Sequence, residues 1–158
     1  MIDNSALVPL QFMRPDAMPS VWNRLEALAK AKRLLICKAV FDEYKNDRLK
    51  PWFEARKDIL VYPYTTRQFE CLKELTEACP TFLDSSKPGP DADQPLVAMA
   101  MALNDELGGC FASGPACVVA HERRTQQGSH RMKIPDACDL LEIEVIDFSD
   151  MIAREGPI

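Results

Sequence analysis

The sequence predicts an α/β protein in which short apolar strands alternate with helices, and that alternation implies a parallel sheet with helices on both faces. Three observations carry the prediction. Apolar runs of strand length recur at 34–37, 59–64, 117–120 and 144–148. Between them, apolar residues return at the three- and four-residue spacing of a helix face. Acids stand directly after several of the strands, at the carboxyl ends where open α/β sheets carry their sites.

Taken in chain order, Met1 and Ile2 form the end of a first strand and Asp3 follows at once. Beyond the 9–19 region, Val21, Trp22, Leu25, Leu28 and Ala29 mark a helix with Ser20 as its N-cap. Leu34-Leu35-Ile36-Cys37 is the second strand; a helix starts near Ala39 and another covers 49–56. The strand at 59–64 is ended by Pro63. Thr66 begins a helix with apolar positions at 69, 72, 75, 78 and 79. Ser85, Ser86, Pro88, Gly89 and Pro90 make 80–90 a loop. Asp93 opens a helix that is apolar nearly all round, hence deeply packed, and stopped by Gly108 and Gly109. A buried strand at 117–120 leads into a polar, basic loop at 122–133. Pro135 suits the first turn of a helix through Leu141, and a last strand at 144–148 precedes a short terminal helix. No repeat, linker or low-complexity tract divides the chain, so residues 1–158 read as a single domain.

A length of 158 residues is enough to bury a sizeable core, and 47% hydrophobic with 27% charged residues is ordinary for a globular protein. No apolar run reaches the roughly 18–20 residues of a membrane span. Asp3 and Asn4 interrupt any signal-peptide pattern, so a cytoplasmic protein is expected. The net charge of −5 argues against indiscriminate clinging to nucleic acid, which rests on neutralising phosphates. Carboxylates that bind divalent cations would nevertheless make a nuclease look acidic until its metals are counted. The cysteines include no C-x-x-C pair and read as buried free thiols. The set Cys110, Cys117, His121 and His130 matches no common zinc spacing.

The residues that could carry chemistry are the acids at element ends: Asp3, Glu43, Asp93, Glu122 and Asp136. In a parallel sheet the carboxyl ends share one edge, so acids far apart in sequence can converge there. Convergence raises their pKa values unless cations neutralise them. Mg²⁺ or Mn²⁺ takes oxygen ligands and suits three or four carboxylates. Each acid also has a structural reading. Asp3 could be a turn residue, Asp93 an N-cap, Glu43 a solvated helix residue, and Asp136 a complement to a helix dipole.

Four segments resemble the PIN-domain superfamily, the fold of VapC-type toxin ribonucleases, and especially a long bacterial PIN-like family. Ile2-Asp3-Asn4-Ser5-Ala6-Leu7 is similar to the opening acid motif, and Cys37-Lys38-Ala39-Val40-Phe41-Asp42-Glu43 to the second motif, which ends in a metal-binding glutamate. Ala92-Asp93-Gln94-Pro95-Leu96-Val97-Ala98 resembles the third. Val118-Val119-Ala120-His121-Glu122, with Lys133-Ile134-Pro135-Asp136-Ala137-Cys138, resembles the close. The resemblance implies a three-layer α/β/α sandwich around a central parallel sheet, and metal-dependent hydrolysis of RNA phosphodiester bonds by water. It implies Asp3, Glu43 and Asp93 as metal carboxylates, with Ser5 supporting Asp3 or a bound water. The fourth acid is either Glu122, by position after the strand, or Asp136, by the Ile-Pro-Asp motif; Asp136 is preferred because Pro135 fixes its approach. It further implies a toxin–antitoxin pair with a helix-turn-helix antitoxin, and homodimerisation.

Arg123, Arg124, His130, Arg131 and Lys133 form a basic stretch that could reach RNA phosphates, although a solvated loop explains it equally well. Trp22 and Trp52 lie in helical patterns and read as core. Two positions depart from the family pattern. Only Met1 and Ile2 precede Asp3, so either the first strand is short or the natural start lies upstream; Ala120 stands where a threonine is usual. These departures motivate an alternative, a PIN-like binding scaffold without activity. A receiver-like phosphoacceptor domain fits poorly, since it needs paired acids near the start.

Overall fold

In a computed structural model, which describes residues 1–45, 48–82, 91–106, 114–126 and 131–156, the chain is mixed α/β with helix predominating. Strand β1 (Ile36–Cys37) pairs in parallel with β2 (Val61–Tyr62). Strand β3 (Val118–Val119) pairs in parallel with β4 (Val145–Ile146). The first three residues touch both pairs. The Ile2 amide donates to Leu35 O at 3.1 Å, ahead of β1. On the other side the Asp3 amide donates to Val119 O at 2.8 Å and the Val119 amide to Met1 O at 2.6 Å. Ile2 and Val119 thereby form a parallel bridge, with the Ile2 side chain fully buried. Residues 1–3 thus hydrogen-bond to segments on both flanks. The Met1 amine is buried with them, donates to Cys117 O at 2.6 Å, and is held below its usual pKa chiefly by that burial.

Periodicity did not reveal α1 (Asn4–Leu7), because one helical turn is too short to show a repeat. Asp3 creates it: its Oδ2 accepts the Ser5 amide at 2.8 Å as an N-cap. A single 3₁₀ turn, Val8–Gln11, follows. Helix α2 (Pro19–Lys30) begins one residue before the expected cap, because Pro19 takes the first turn and Met18 the capping position; Ser20 lies inside the helix. Helix α3 (Lys38–Glu43) leaves β1 without a connecting residue. After α4 (Lys50–Glu54) comes α5 (Lys57–Leu60), which takes residues expected in a strand. The Ile59 and Leu60 amides both donate to Arg56 O at 3.0 Å, so only Val61 and Tyr62 remain extended.

Thr65 caps α6 (Thr66–Ala78) by accepting the Gln68 amide at 3.1 Å. Helices α7 (Asp93–Glu106), α8 (Ile134–Leu140) and α9 (Phe148–Arg154) complete the described elements. Phe148 starts α9 rather than ending a strand, since Asp147 accepts the Asp150 amide at 2.8 Å and caps the helix there. The expected stop at Gly108 and Gly109, and most of the 80–90 loop, lie outside the described residues.

Helix α7 is the centre of the core, as its all-round apolarity requires. Leu96, Val97, Ala98, Met99, Ala100, Ala102 and Leu103 are buried, and the helix packs on α3, α6, α8, β1 and β3. Full burial of a side chain such as Leu96 contributes about 1.5–3 kcal/mol. Phe69 was expected on the inner face of α6; it is 57% exposed and stacks on Tyr64. Trp22 is buried and meets the ring of half-buried Trp52 edge-on, 5.0 Å between centroids. Among the described residues, no helix is long and apolar enough to cross a membrane.

Candidate functional site

The carboxyl ends of β1, β3 and the first strand meet around α1. Asp3 is 5% exposed, and its Oδ2 accepts both the amide of Ser5 and its hydroxyl, the latter at 2.6 Å. Its Oδ1 takes no hydrogen bond from a described residue. The Ser5 hydroxyl also accepts the amide of His121 at 2.9 Å, so one side chain ties the first acid to the exit of β3. Asn4 makes the corresponding tie to α3. Its Nδ2 donates to Val40 O at 3.3 Å and to Glu43 Oε2 at 3.2 Å. The three residues Asp3, Asn4 and Ser5 thus connect the first acid with Glu43 and with the segment that carries Glu122.

Asp93 stands at the first position of α7, below a buried acid that sequence reasoning missed. The Asp91 side chain is 4% exposed, and its Oδ1 accepts the Asp93 amide at 3.2 Å. Arg131 faces both carboxylates, with its Nη2 3.5 Å from Asp93 Oδ2 and 3.8 Å from Asp91 Oδ2. The Asp-x-Asp spacing at the start of the helix is the sequence signal that marks Asp91. Gln68 was missed as well. It is buried on α6 and donates to Pro95 O at 2.9 Å, beside the Cys37 sulfur at 3.6 Å. One amide therefore sets the start of α7 against the end of β1, which fixes Asp93 relative to the helix bearing Glu43.

The two candidates for a fourth acid differ sharply. Asp136 uses its Oδ2 locally. It accepts the Thr125 amide at 2.9 Å, the Thr125 hydroxyl, and the Lys133 amide at 3.2 Å at the start of α8. Burial alone would raise its pKa, but the Thr125 and Lys133 hydrogen bonds outweigh that and hold it below the usual carboxylate value. Glu122 is half-buried, and its Oε2 is buried without a hydrogen-bond partner among the described residues. An unpaired buried carboxylate oxygen is costly, and a cation is one way to relieve it.

Of the basic stretch, Arg124 is paired with Asp139 and Arg131 with the two acids of the α7 start. Arg123 is exposed, Lys133 is half-buried, and His130 lies outside the described residues. The described thiols, Cys37, Cys71, Cys79, Cys117 and Cys138, are free. Burial pushes Cys71 up to about 11 and Cys138 up to about 12, which makes them poor nucleophiles and ligands. Cys110, the remaining cysteine, lies outside the described residues.

The donor set of Asp3, Glu43, Asp93 and Glu122 is all carboxylate, the chemistry a hard divalent cation takes. The orphaned Glu122 Oε2 and the unused Asp3 Oδ1 fit such a ligand. Among the described residues, however, no three His, Cys, Asp or Glu side chains stand close enough to chelate one ion as they are. Asn4 ties the Asp3 segment to Glu43, and Ser5 ties Asp3 to His121, the residue before Glu122.

A family model described as a domain of unknown function, DUF4411, matches residues 1–157. The chain belongs to that family. The match takes in every acid discussed above, and the ties between Asp3, Glu43 and His121 fall wholly within it. No curated protein and no solved structure matches the chain.

Proposed function

We propose that this protein is a divalent-metal-dependent endoribonuclease of the PIN-like type, acting in the cytoplasm as the toxin of a toxin–antitoxin pair. In this reading the two parallel strand pairs, linked through residues 1–3, form one central sheet within an α/β/α sandwich. Asp3, Glu43, Asp93 and Glu122 would hold Mg²⁺ or Mn²⁺. A cation there would supply Lewis acidity and a water of lowered pKa for attack on a phosphodiester.

The observation that carries the reading is the orphaned Glu122 Oε2, one residue beyond the amide that Ser5 ties to the Asp3 motif. That observation favours Glu122 over Asp136 as the fourth ligand in this reading. Asp136 keeps its oxygen on Thr125 and the α8 start, so it positions the closing segment. Ser5 holds Asp3 in place through its amide and hydroxyl, and Asn4 steers Glu43. Arg123 and Lys133 supply positive charge for RNA phosphates on the same segment. A helix-turn-helix antitoxin, and a second copy of the chain, are the partners this reading implies.

The test is RNA cleavage with Mn²⁺ by purified wild type and Asp93→Asn, alongside growth inhibition on expression. Both activities should disappear together in the variant. If Asp93→Asn cut RNA as fast as wild type, the assignment of this edge as catalytic would fall. A second reading, a PIN-like scaffold without activity, is favoured by the ion pairing of Asp93 with Arg131 and by the lack of a ready-made chelating group among the described residues. It predicts no Mn²⁺ binding by calorimetry.

A further inference from the structure

We infer that Tyr64 and Phe69 form a stacking platform for an unpaired RNA base at the carboxyl edge of the strands. The choice of ligand rests on the ribonuclease reading proposed above.

The two rings lie 5.5 Å apart between centroids and 27° from parallel. The other aromatic pairs among the described residues, Trp22–Trp52, Tyr44–Phe53 and Trp52–Phe53, meet edge-on, and each includes a buried ring. Tyr64 is 41% and Phe69 57% exposed, so the stacked pair is the one that stands in solvent. A near-parallel pair so exposed offers a ring face on which a further flat ring can lie.

The chain path sets its place. Tyr62 ends β2 opposite Cys37 at the end of β1, so Tyr64, two residues on, leaves the strands at their carboxyl edge. That edge also carries Asp3 and Glu43. Tyr64 lies close enough to α3 for Asp42 and Lys38 to act on its phenol, whose pKa is raised chiefly by burial. Phe69 follows Gln68, whose side chain reaches the Cys37 sulfur and Pro95 O near the start of α7. The pair therefore adjoins the helix bearing Glu43 and, through Gln68, the start of the helix bearing Asp93. Thr65 caps α6, and the Phe69 amide donates to Thr65 O at 3.3 Å, so the turn carrying both rings is already formed.

A nucleobase suits this patch better than a protein surface does. The rings are bordered by Lys38 and Asp42 on α3 and by Arg67 and Glu70 on α6, not by the contiguous apolar area of a protein-docking site. Stacking needs only a ring face, and every base has one to offer. Lys38 beside Tyr64, and exposed Lys73 one helical turn beyond Phe69, supply positive charge for the flanking phosphates. Bases within a duplex already stack on their neighbours, so the platform selects unpaired RNA.

The test is binding of fluorescently labelled oligoadenylate by the full chain in EDTA, read by anisotropy, with thermal melts to establish folding. An abasic oligomer of equal length and an RNA duplex keep the phosphates but offer no free base. Wild type should bind oligoadenylate at least about fivefold more tightly than the abasic oligomer. Phe69→Ala and Tyr64→Ala should each weaken oligoadenylate binding about tenfold, as loss of one base–aromatic stack does, and leave abasic and duplex affinities unchanged. Phe69→Trp and Tyr64→Phe should retain the wild-type affinity. If both alanine variants bind oligoadenylate like wild type, or wild type does not prefer it to the abasic oligomer, the platform is overturned whatever Mn²⁺-dependent cleavage shows. If Phe69→Ala instead changes the oligomeric state at unchanged RNA affinity, the pair is a protein contact and the platform falls. An Asp93→Asn variant that cuts RNA as fast as wild type removes the catalytic assignment, while loss of oligoadenylate binding in the alanine variants still upholds the platform.

Discussion

The two ends of the strands treat their acids in opposite ways. At the amino ends, acids meet arginines: Glu144 is gripped by both terminal nitrogens of Arg154 at 2.6 Å, and Glu155 takes Arg33 at 2.9 Å. These pairs border a cleft of about 250 Å³ floored by Met1, Leu34, Leu35 and Ile146. At the carboxyl ends, Asp3 and Asp136 accept only amides and hydroxyls, Glu43 accepts an asparagine amide, and the buried oxygen of Glu122 accepts nothing from a described residue. Cations meet acids here too: Lys38 pairs with Asp42 on α3, Arg124 with Asp139, and Arg131 lies 3.5 Å from Asp93. Among the described residues, close arginine pairs mark the first end, and amide or hydroxyl donors dominate around Asp3, Glu43 and Asp136 at the second. The proposed cation site lies at this end.

That contrast can be broken most directly by removing charge without removing caps. Asp3→Asn keeps a good N-cap for α1, and Glu122→Gln keeps the shape of its side chain. Each should cut Mn²⁺-dependent RNA cleavage on the order of a hundredfold or more, the scale of losing a group that stabilises the transition state. Full activity in either variant, measured as initial cleavage rate, would erase the distinction between the ends. Gln68→Ala should lower stability by about 1–3 kcal/mol, because Pro95 O is left without its buried donor. Urea unfolding would read that loss.

Asp136→Asn sharpens the comparison within the acidic end. Cleavage should stay within about tenfold of wild type, while stability at neutral pH falls by about 1 kcal/mol with the weakened cap. Because the folded pKa of Asp136 lies below its unfolded value of 3.8, its contribution is complete above that value and lost as pH falls through the folded pKa. The difference between variant and wild type in urea midpoints should therefore be seen at pH 6 and close on acidification. The smallest effect belongs to the opposite end. Arg154→Ala breaks a pair whose side chains are about half exposed, should cost no more than about 1 kcal/mol, and should leave cleavage unchanged.

Much of this architecture is written in the sequence. The apolar runs locate the four short strands of the described residues, and the unbroken apolarity of 96–103 announces the buried helix at the centre. Where the reading slipped, the cause was local. A capping aspartate made a helix of Asn4–Leu7 that is too short to show a period, and Arg56 drew Ile59 and Leu60 into a turn that periodicity assigned to a strand. Phe69 turned outward because Tyr64 offered it a ring to stack on.

Residue type and order alone set Asp3 and Glu122 after strands, Glu43 on the helix after a strand, and Asp93 and Asp136 in first helical turns, where a parallel sheet is expected to bring them to one edge. Only the tertiary structure decided how they are held. That Ser5 reaches His121, that Asn4 reaches Glu43, that Gln68 pins Pro95 and that Arg131 faces Asp91 and Asp93 are contacts between segments far apart in the chain. Such contacts depend on packing angles and side-chain reach, which no local pattern encodes. Glu122 and Asp136 differ by the same physics: Asp136 finds partners on Thr125 and at its own helix start, whereas Glu122 Oε2 is buried without a hydrogen-bond partner among the described residues.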